Sequence, residues 1–299
     1  MPEWEAEIEV DETLAQRLIS GQFPEVETET LTLIGRGWDN TVWLAEHRWA
    51  FRFPRREIAV PLVARELATL PALAPRLPLA IPAPVFGGQP TDDYPWPFLG
   101  AESIPGREPA FAPLDDAARV RAARPLGKFL RALHGSPAPD ELPEDPNGRA
   151  NMTVRVEWTE RRLAHGKELG LWGALPAAKP VLDAALAAPP THVRVLTHGD
   201  LHFRHVLVDH SGALTGVIDW GDVGRSDPGI DLVLPWCLLP PDARPTFFEA
   251  YGGPPGGSAE RGRLLALFLS ATLAIYARDE GLPELEREAV GSLVRTLQD

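Results

Sequence analysis

Residues 196–233 read LTHGDLHFRHVLVDHSGALTGVIDWGDVGRSDPGIDLV and place Asp200, Asp219, Asp222, Asp227 and Asp231 among histidines and short apolar runs. Two β-like runs, HVLVD and LTGVIDW, flank a Ser211-Gly212 turn, so the chain is expected to go out and back as a hairpin. Asp200 precedes the first run and Asp219 closes the second, so a two-stranded ribbon returns both carboxylates to one end, within reach of an imidazole. Phosphoryl transfer uses this equipment: one carboxylate takes a proton from a hydroxyl and another holds a divalent cation on polyphosphate. Any single aspartate here is explained equally well as a turn cap. Five together point to chemistry.

Upstream, residues 25–53 alternate as strands (VETETLTLIG, TVWLAE, WAFRF) between turn signals at Gly35, Gly37, Asp39, Asn40 and His47, which predicts an antiparallel meander. A helix is expected over about 56–73, with Ile58, Leu62, Leu67 and Leu70 as its apolar stripe and Pro71 at its end. Two short strands follow in IPAPVFG and WPFLGAESI. Apolar stripes then predict helices at 114–134, 154–172, 179–188, 261–277 and 285–297. The expected class is α+β in two lobes: a small antiparallel-sheet N-lobe over 1–102 and a larger helical C-lobe over 103–299.

Composition narrows the function. A length of 299 residues with 44% hydrophobic and 24% charged suits a soluble chain of more than one core. The single cysteine, Cys237, forbids an intramolecular disulfide, and the acidic opening MPEWEAEIEVDE is unlike a secretory signal, so a cytoplasmic protein is expected. The apolar run 264–276, broken by Ser270 and Thr272, falls short of the ~20 residues that span a bilayer. With 29 basic and 42 acidic residues the net charge is −13, which disfavours nucleic acid and suits a small cationic partner. No membrane and no obligate protein partner are expected.

The run HGDLHFRHVLVD, followed by GVIDWGD and DPGIDL, resembles the aminoglycoside phosphotransferase family, small-molecule kinases with a protein-kinase-like bilobal fold and an association with antibiotic resistance. IGRGWDNTVWLA, WAFRFP, the helix carrying Glu66 and LGKFLRALH ending at His134 extend the resemblance over most of the chain. It implies that Asp200 orients and deprotonates the acceptor hydroxyl and that Asp219 binds metal on the nucleotide phosphates. Asp231 would brace the catalytic loop and His198 would open it. The resemblance further implies ATP or GTP as co-substrate, Mg²⁺ or Mn²⁺ as cofactor, and the nucleotide base against the backbone of 99–103. The acceptor, aminoglycoside-like or macrolide-like, would meet a helical insertion at 140–178 containing Glu157, Trp158, Glu160 and Trp172, the two tryptophans reading as core residues.

Two positions depart from the family pattern. Where an asparagine is common as second metal ligand the chain has His205, an imidazole that Mg²⁺ takes poorly and Mn²⁺ tolerates better; the macrolide phosphotransferase branch resembles the chain in having His there. The phosphate-binding lysine of the small lobe is absent, because no lysine precedes Lys128. Arg52 in WAFRFP takes its place, with Glu66 as ion-pair partner, and Gly35 and Gly37 suit a turn over phosphates or a plain hairpin turn. Three rivals remain: a zinc hydrolase on His198, His202 and His205, a non-catalytic nucleotide-binding module, and a metabolic kinase of an amino alcohol or sugar.

Overall fold

The computed structural model describes residues 6–299 other than Trp38, Pro113 and Pro176. Residues 1–5 of the acidic opening and Trp38 of the glycine turn lie outside the described residues. The chain forms two compact units, Met1–Pro75 with Ala80–Ile104, and Arg76–Leu79 with Pro105–Asp299.

In the smaller unit, helix α1 (Glu12–Gln22) precedes strands β1 (Leu31–Arg36), β2 (Asn40–Ala45) and β3 (Trp49–Pro54), helix α2 (Val60–Leu73), and strands β4 (Pro84–Gly88) and β5 (Phe98–Glu102). The strands pair antiparallel in the order β1-β2-β3-β5-β4. Between β2 and β3, Glu46 and His47 both have positive φ (54° and 53°) and Arg48 N–H closes on Ala45 O at 2.9 Å, a turn whose twist matches the strands it joins. Phe51, Phe53, Tyr94 and Phe98 are fully buried, with the Phe53 and Phe98 rings stacked 4.7 Å apart. Helix α1 was not anticipated. Its start is fixed by Asp11, which accepts the Leu14 N–H at 2.8 Å, and it buries Ala15, Leu18 and Ile19.

Helix α2 differs from expectation in two ways. Its buried face is Val63, Glu66, Thr69, Leu70 and Leu73, whereas Ile58 is exposed, and the α-helix starts at Val60 after a separate turn at Glu57–Ala59, while its end at Leu73 is as expected. Residues Glu57–Arg76 are long and apolar enough to cross a membrane. Here, however, the same stretch buries Glu66 against Arg52 of β3, which makes it a core helix of this unit.

The larger unit contains α3 (Asp116–His134), α4 (Met152–Glu168), α5 (Lys179–Ala187), β6 (Val195–Thr197), β7 (Val206–Val208), β8 (Leu214–Val217), β9 (Gly224–Ser226), α6 (Leu234–Cys237), α7 (Arg244–Tyr251), α8 (Ser258–Asp279) and α9 (Pro283–Leu297). Apolar α8, buried at Leu264, Leu265, Leu267 and Ala271, is the central helix on which α4, α5 and α9 pack. Strands β7 and β8 form the hairpin, tipped by Asp209, whose carboxylate accepts the N–H groups of Ser211 and Ala213. Strands β6 and β9 pair beside it. Cys237 is buried, and burial pushes its thiol pKa up to about 12. Trp172 is in the core, over Gly166, but Trp158 is 44% exposed, which corrects its reading as a core residue.

Candidate active site

The loop from β6 to β7 carries Asp200, and its shape is set by Asp231. That buried carboxylate accepts the backbone N–H of His198 through Oδ2 (2.8 Å) and of Gly199 through Oδ1 (3.0 Å). Gly199 has φ +92°, and a Cβ there would collide with the Asp222 carbonyl, so the turn admits only glycine. His134 Nε2 lies 3.2 Å from Asp231 Oδ2 and its Nδ1 2.8 Å from the Tyr251 hydroxyl. A carboxylate can only accept, so Nε2–H donates to Asp231, and Nδ1 pairs with the Tyr251 hydroxyl. Burial works against charge on Asp231, but the hydrogen bond from His134, its attraction and the Gly199 N–H outweigh it and hold its pKa below the ordinary value.

The three loop histidines are sorted by their partners. His198 accepts the Asp200 N–H at Nδ1 (3.2 Å) and donates from Nε2 to Ile218 O (2.9 Å); burial lowers its pKa to about 4 and keeps it neutral. Both ring nitrogens are engaged, so it is not a metal ligand. His202 accepts the Arg204 N–H at Nδ1 (3.2 Å), which leaves the proton on Nε2, and burial depresses its pKa as well. His205 is the reverse: Nδ1 lies 2.8 Å from the Asp200 carbonyl and must donate to it, so Nε2 is the outward nitrogen, 3.4 Å from Asp219 Oδ2. A ring N–H donated to a backbone carbonyl is the usual support of a metal-binding imidazole. Asp200, His202 and His205 lie close enough to share an ion, though Nδ1 of His202 is taken by the Arg204 N–H and Nδ1 of His205 by the Asp200 carbonyl, which leaves Nε2 as the outer nitrogen of each ring.

Asp219 follows β8, and its backbone is left-handed (φ 66°). It meets His205 because the Ile218 N–H bonds to His205 O at 2.9 Å, which aligns the two sides of the hairpin base. Asp200 lies 3.9 Å from His202 through Oδ2, and burial raises its pKa against the pull of Arg149 and His205. In the smaller unit, Arg52 Nη1 donates to both oxygens of Glu66 at 2.8 and 3.1 Å, and the Asn40 amide oxygen, turned toward the guanidinium, accepts from Nε (3.1 Å) and Nη2 (2.8 Å). Gly35 lies at a bulge between β1 and β2, and Gly37 N–H closes a turn on Asn40 O at 2.9 Å. A Cβ at either glycine would find its neighbours at 3.6 Å or beyond.

Residues 30–267 match the phosphotransferase enzyme family. Viomycin phosphotransferase of Streptomyces vinaceus is 30% identical over 297 residues, covering 92% of this chain and 94% of that one. This chain belongs to the phosphotransferase enzyme family. With the family comes its class of reaction, transfer of a phosphoryl group from a nucleotide to a hydroxyl of a small molecule. The phosphotransferase also shares 49% identity over 39 residues with the uncharacterized protein YcbJ of Bacillus subtilis (strain 168), a match spanning 13% of each chain. In fold it is similar to the GDP and kanamycin complex of APH(2")-IIia (TM-score 0.67, 22% identity, 94% of this chain and 97% of that one). It is similar too to macrolide 2'-phosphotransferase MphH of Brachybacterium faecium (TM-score 0.62, 23% identity, 95% and 97%).

Sequence reading of this phosphotransferase missed two partners of the site. Tyr251 reaches Asp231 and its loop through His134, and Arg149 joins Asp200 to Asp222 with 2.8 Å bonds to each. Arg149 stands alone in an irregular stretch, with no motif or periodicity to mark it.

Proposed function

We propose that the chain transfers the γ-phosphoryl group of ATP or GTP to a hydroxyl of an antibiotic-like small molecule, with Asp200 as the base. The observation that carries this reading is the hairpin base: Asp200 on a loop pinned by buried Asp231, beside a carboxylate and an imidazole nitrogen 3.4 Å apart. Asp219 Oδ2 and His205 Nε2 are a donor pair that fits one divalent ion, which would neutralise charge on the nucleotide phosphates. A mixed nitrogen and oxygen set favours Mn²⁺ over Mg²⁺. Asp200 takes the acceptor proton as the oxygen attacks, and His198 and Asp231 hold its loop in place. In the N-terminal lobe, Arg52, held by Glu66, attracts phosphate oxygens, and the turn at Gly35 and Gly37 covers them. Residues 140–178 form the acceptor wall, where the exposed face of Trp158 suits a cationic sugar. Dependence on a nucleoside triphosphate fits a cytoplasmic enzyme.

Viomycin, kanamycin and macrolides are the acceptors to try first, given the relatives that act on or bind them. Nucleotide consumption with Mn²⁺ or Mg²⁺ and each acceptor, for wild type and Asp200→Asn, is the test. Acceptor-dependent turnover lost in the variant supports the reading. Equal turnover in both would sink it, and nucleotide binding without turnover on any acceptor would favour a binding module.

A further inference from the structure

Residues 143–151 are irregular in backbone but firmly tied. Arg225 N–H donates to Pro143 O (2.9 Å) and Asp145 N–H to Arg225 O (3.0 Å), which fastens the segment to β9. Asp145, itself left-handed at φ 39°, accepts the N–H groups of Arg149 (2.7 Å) and Ala150 (2.9 Å) on its two carboxylate oxygens. Arg155 of α4, buried, donates from Nη2 to Asn147 O at 3.0 Å. A loop held at this many points presents one guanidinium to the site. Arg149, with a side chain 19% exposed, places Nη2 on Asp200 Oδ1 and Nη1 on Asp222 Oδ2, each at 2.8 Å.

We propose that Arg149 is a positioning residue for phosphoryl transfer, clamping Oδ1 of Asp200 so that Oδ2 is the oxygen offered to the acceptor hydroxyl. The proposal rests on the reading of Asp200 as the base. An aspartate carboxylate turns in a broad, two-fold well about its last torsion, so a free Asp200 would present either oxygen in many orientations. A planar fork bonded to two carboxylates through separate nitrogens fixes both the plane and the choice of oxygen, which an ammonium cannot do. Oδ2 then faces the side of His202, whose Nε2 at 3.9 Å is beyond hydrogen-bond reach and leaves that oxygen available to a hydroxyl. Asp222 anchors the far end of the fork, so the clamp is referenced to the β8–β9 connection and not only to the loop it restrains.

The test compares wild type, Arg149→Ala, Arg149→Lys and Asp200→Asn on the acceptor that turns over in the panel above. For Arg149→Ala, kcat is expected to fall about 10²-fold, a typical cost of a misplaced catalytic group, with the nucleotide KM within about two-fold of wild type. Added guanidinium is expected to restore part of kcat in that variant and none in Asp200→Asn, and Arg149→Lys to recover less than wild-type kcat. Because Arg149→Ala strands two carboxylates, Arg149→Ala with Asp222→Asn serves as the better-folding counterpart with the same expected kinetics. A crystal structure of the Arg149→Ala variant reads the clamp without turnover: the Asp200 carboxylate should leave its wild-type plane. An unmoved carboxylate overturns the proposal, as does unchanged kcat, or a loss of kcat that guanidinium does not relieve and that nucleotide affinity shares. Asp200→Asn separates the two claims: if it still transfers, the reading of the base fails, whereas if it is inactive and Arg149→Ala is not, only the clamp fails.

Discussion

Asp219 keeps its carboxylate in place on a left-handed backbone, a conformation open at modest cost to glycine, asparagine and aspartate. Asp219→Asn should therefore hold the wild-type melting temperature within about 2 °C, while Asp219→Ala adds backbone strain of about 1–2 kcal/mol and melts several degrees lower. Both should raise the metal concentration needed for half-maximal turnover by ten-fold or more, measured by metal titration at fixed nucleotide, as an order-of-magnitude loss of one ligand. His205→Asn replaces the imidazole nitrogen by an amide oxygen and should move the ratio of kcat/KM in Mg²⁺ to that in Mn²⁺ upward, with an unchanged ratio removing His205 from the ion's ligands. Asp231→Asn keeps the shape but weakens the brace, and should cost about 2–3 kcal/mol of stability by denaturant unfolding at pH 7. Since the folded pKa of Asp231 lies below the unfolded one, the unfolded chain binds more protons between the two values, and the charged brace stabilises fully only above that window. The gap between wild type and Asp231→Asn should thus narrow as pH falls below about 4. Asp200 and Asp219 could be placed from sequence because a hairpin returns its two ends to one place, whereas Asp231 came only with the family resemblance. Arg149 and Tyr251 could not, since Arg149 lies 51 residues upstream of Asp200 and Tyr251 acts through His134, 117 residues before it in the chain.

At the scale of elements, the loop between β6 and β7 turns on one glycine. Gly199→Ala must relieve both a positive φ and a clash with the Asp222 carbonyl, so it should cost about 3 kcal/mol or more and release the Asp231 hydrogen bonds. Hydrogen exchange at the His198 and Gly199 amides, fast in the variant and protected in wild type, would report it. The hairpin itself was legible because strand alternation and a Ser-Gly turn are local signals. Helix α2 was legible as a helix but not in its orientation: its inward face includes Glu66, a buried carboxylate paired with Arg52 of β3. The short pair β6–β9 escaped notice because three-residue strands carry no period to read.

For the whole molecule, the sheet-bearing and helical parts were read from where alternation gives way to helical stripes, while α6 and α7 were too short or too weakly striped to stand out and α1 was passed over although its stripe is as clear as that of α5. The net charge of −13 gives the chain a field that draws cations at a distance, but it does not choose an acceptor; the Arg149 guanidinium beside Asp200 disfavours an ammonium next to the reacting hydroxyl. The lone thiol has a use that chemistry alone would not suggest. Cys237 is buried in the larger unit and its pKa near 12 leaves almost no thiolate, so alkylating reagents should pass the native protein by. It is a clock already installed: under pulse labelling, each modified molecule marks one opening of the helical unit, and the labelling rate should slow when nucleotide and metal bind. Labelling as fast as in denaturant would show that the unit opens freely.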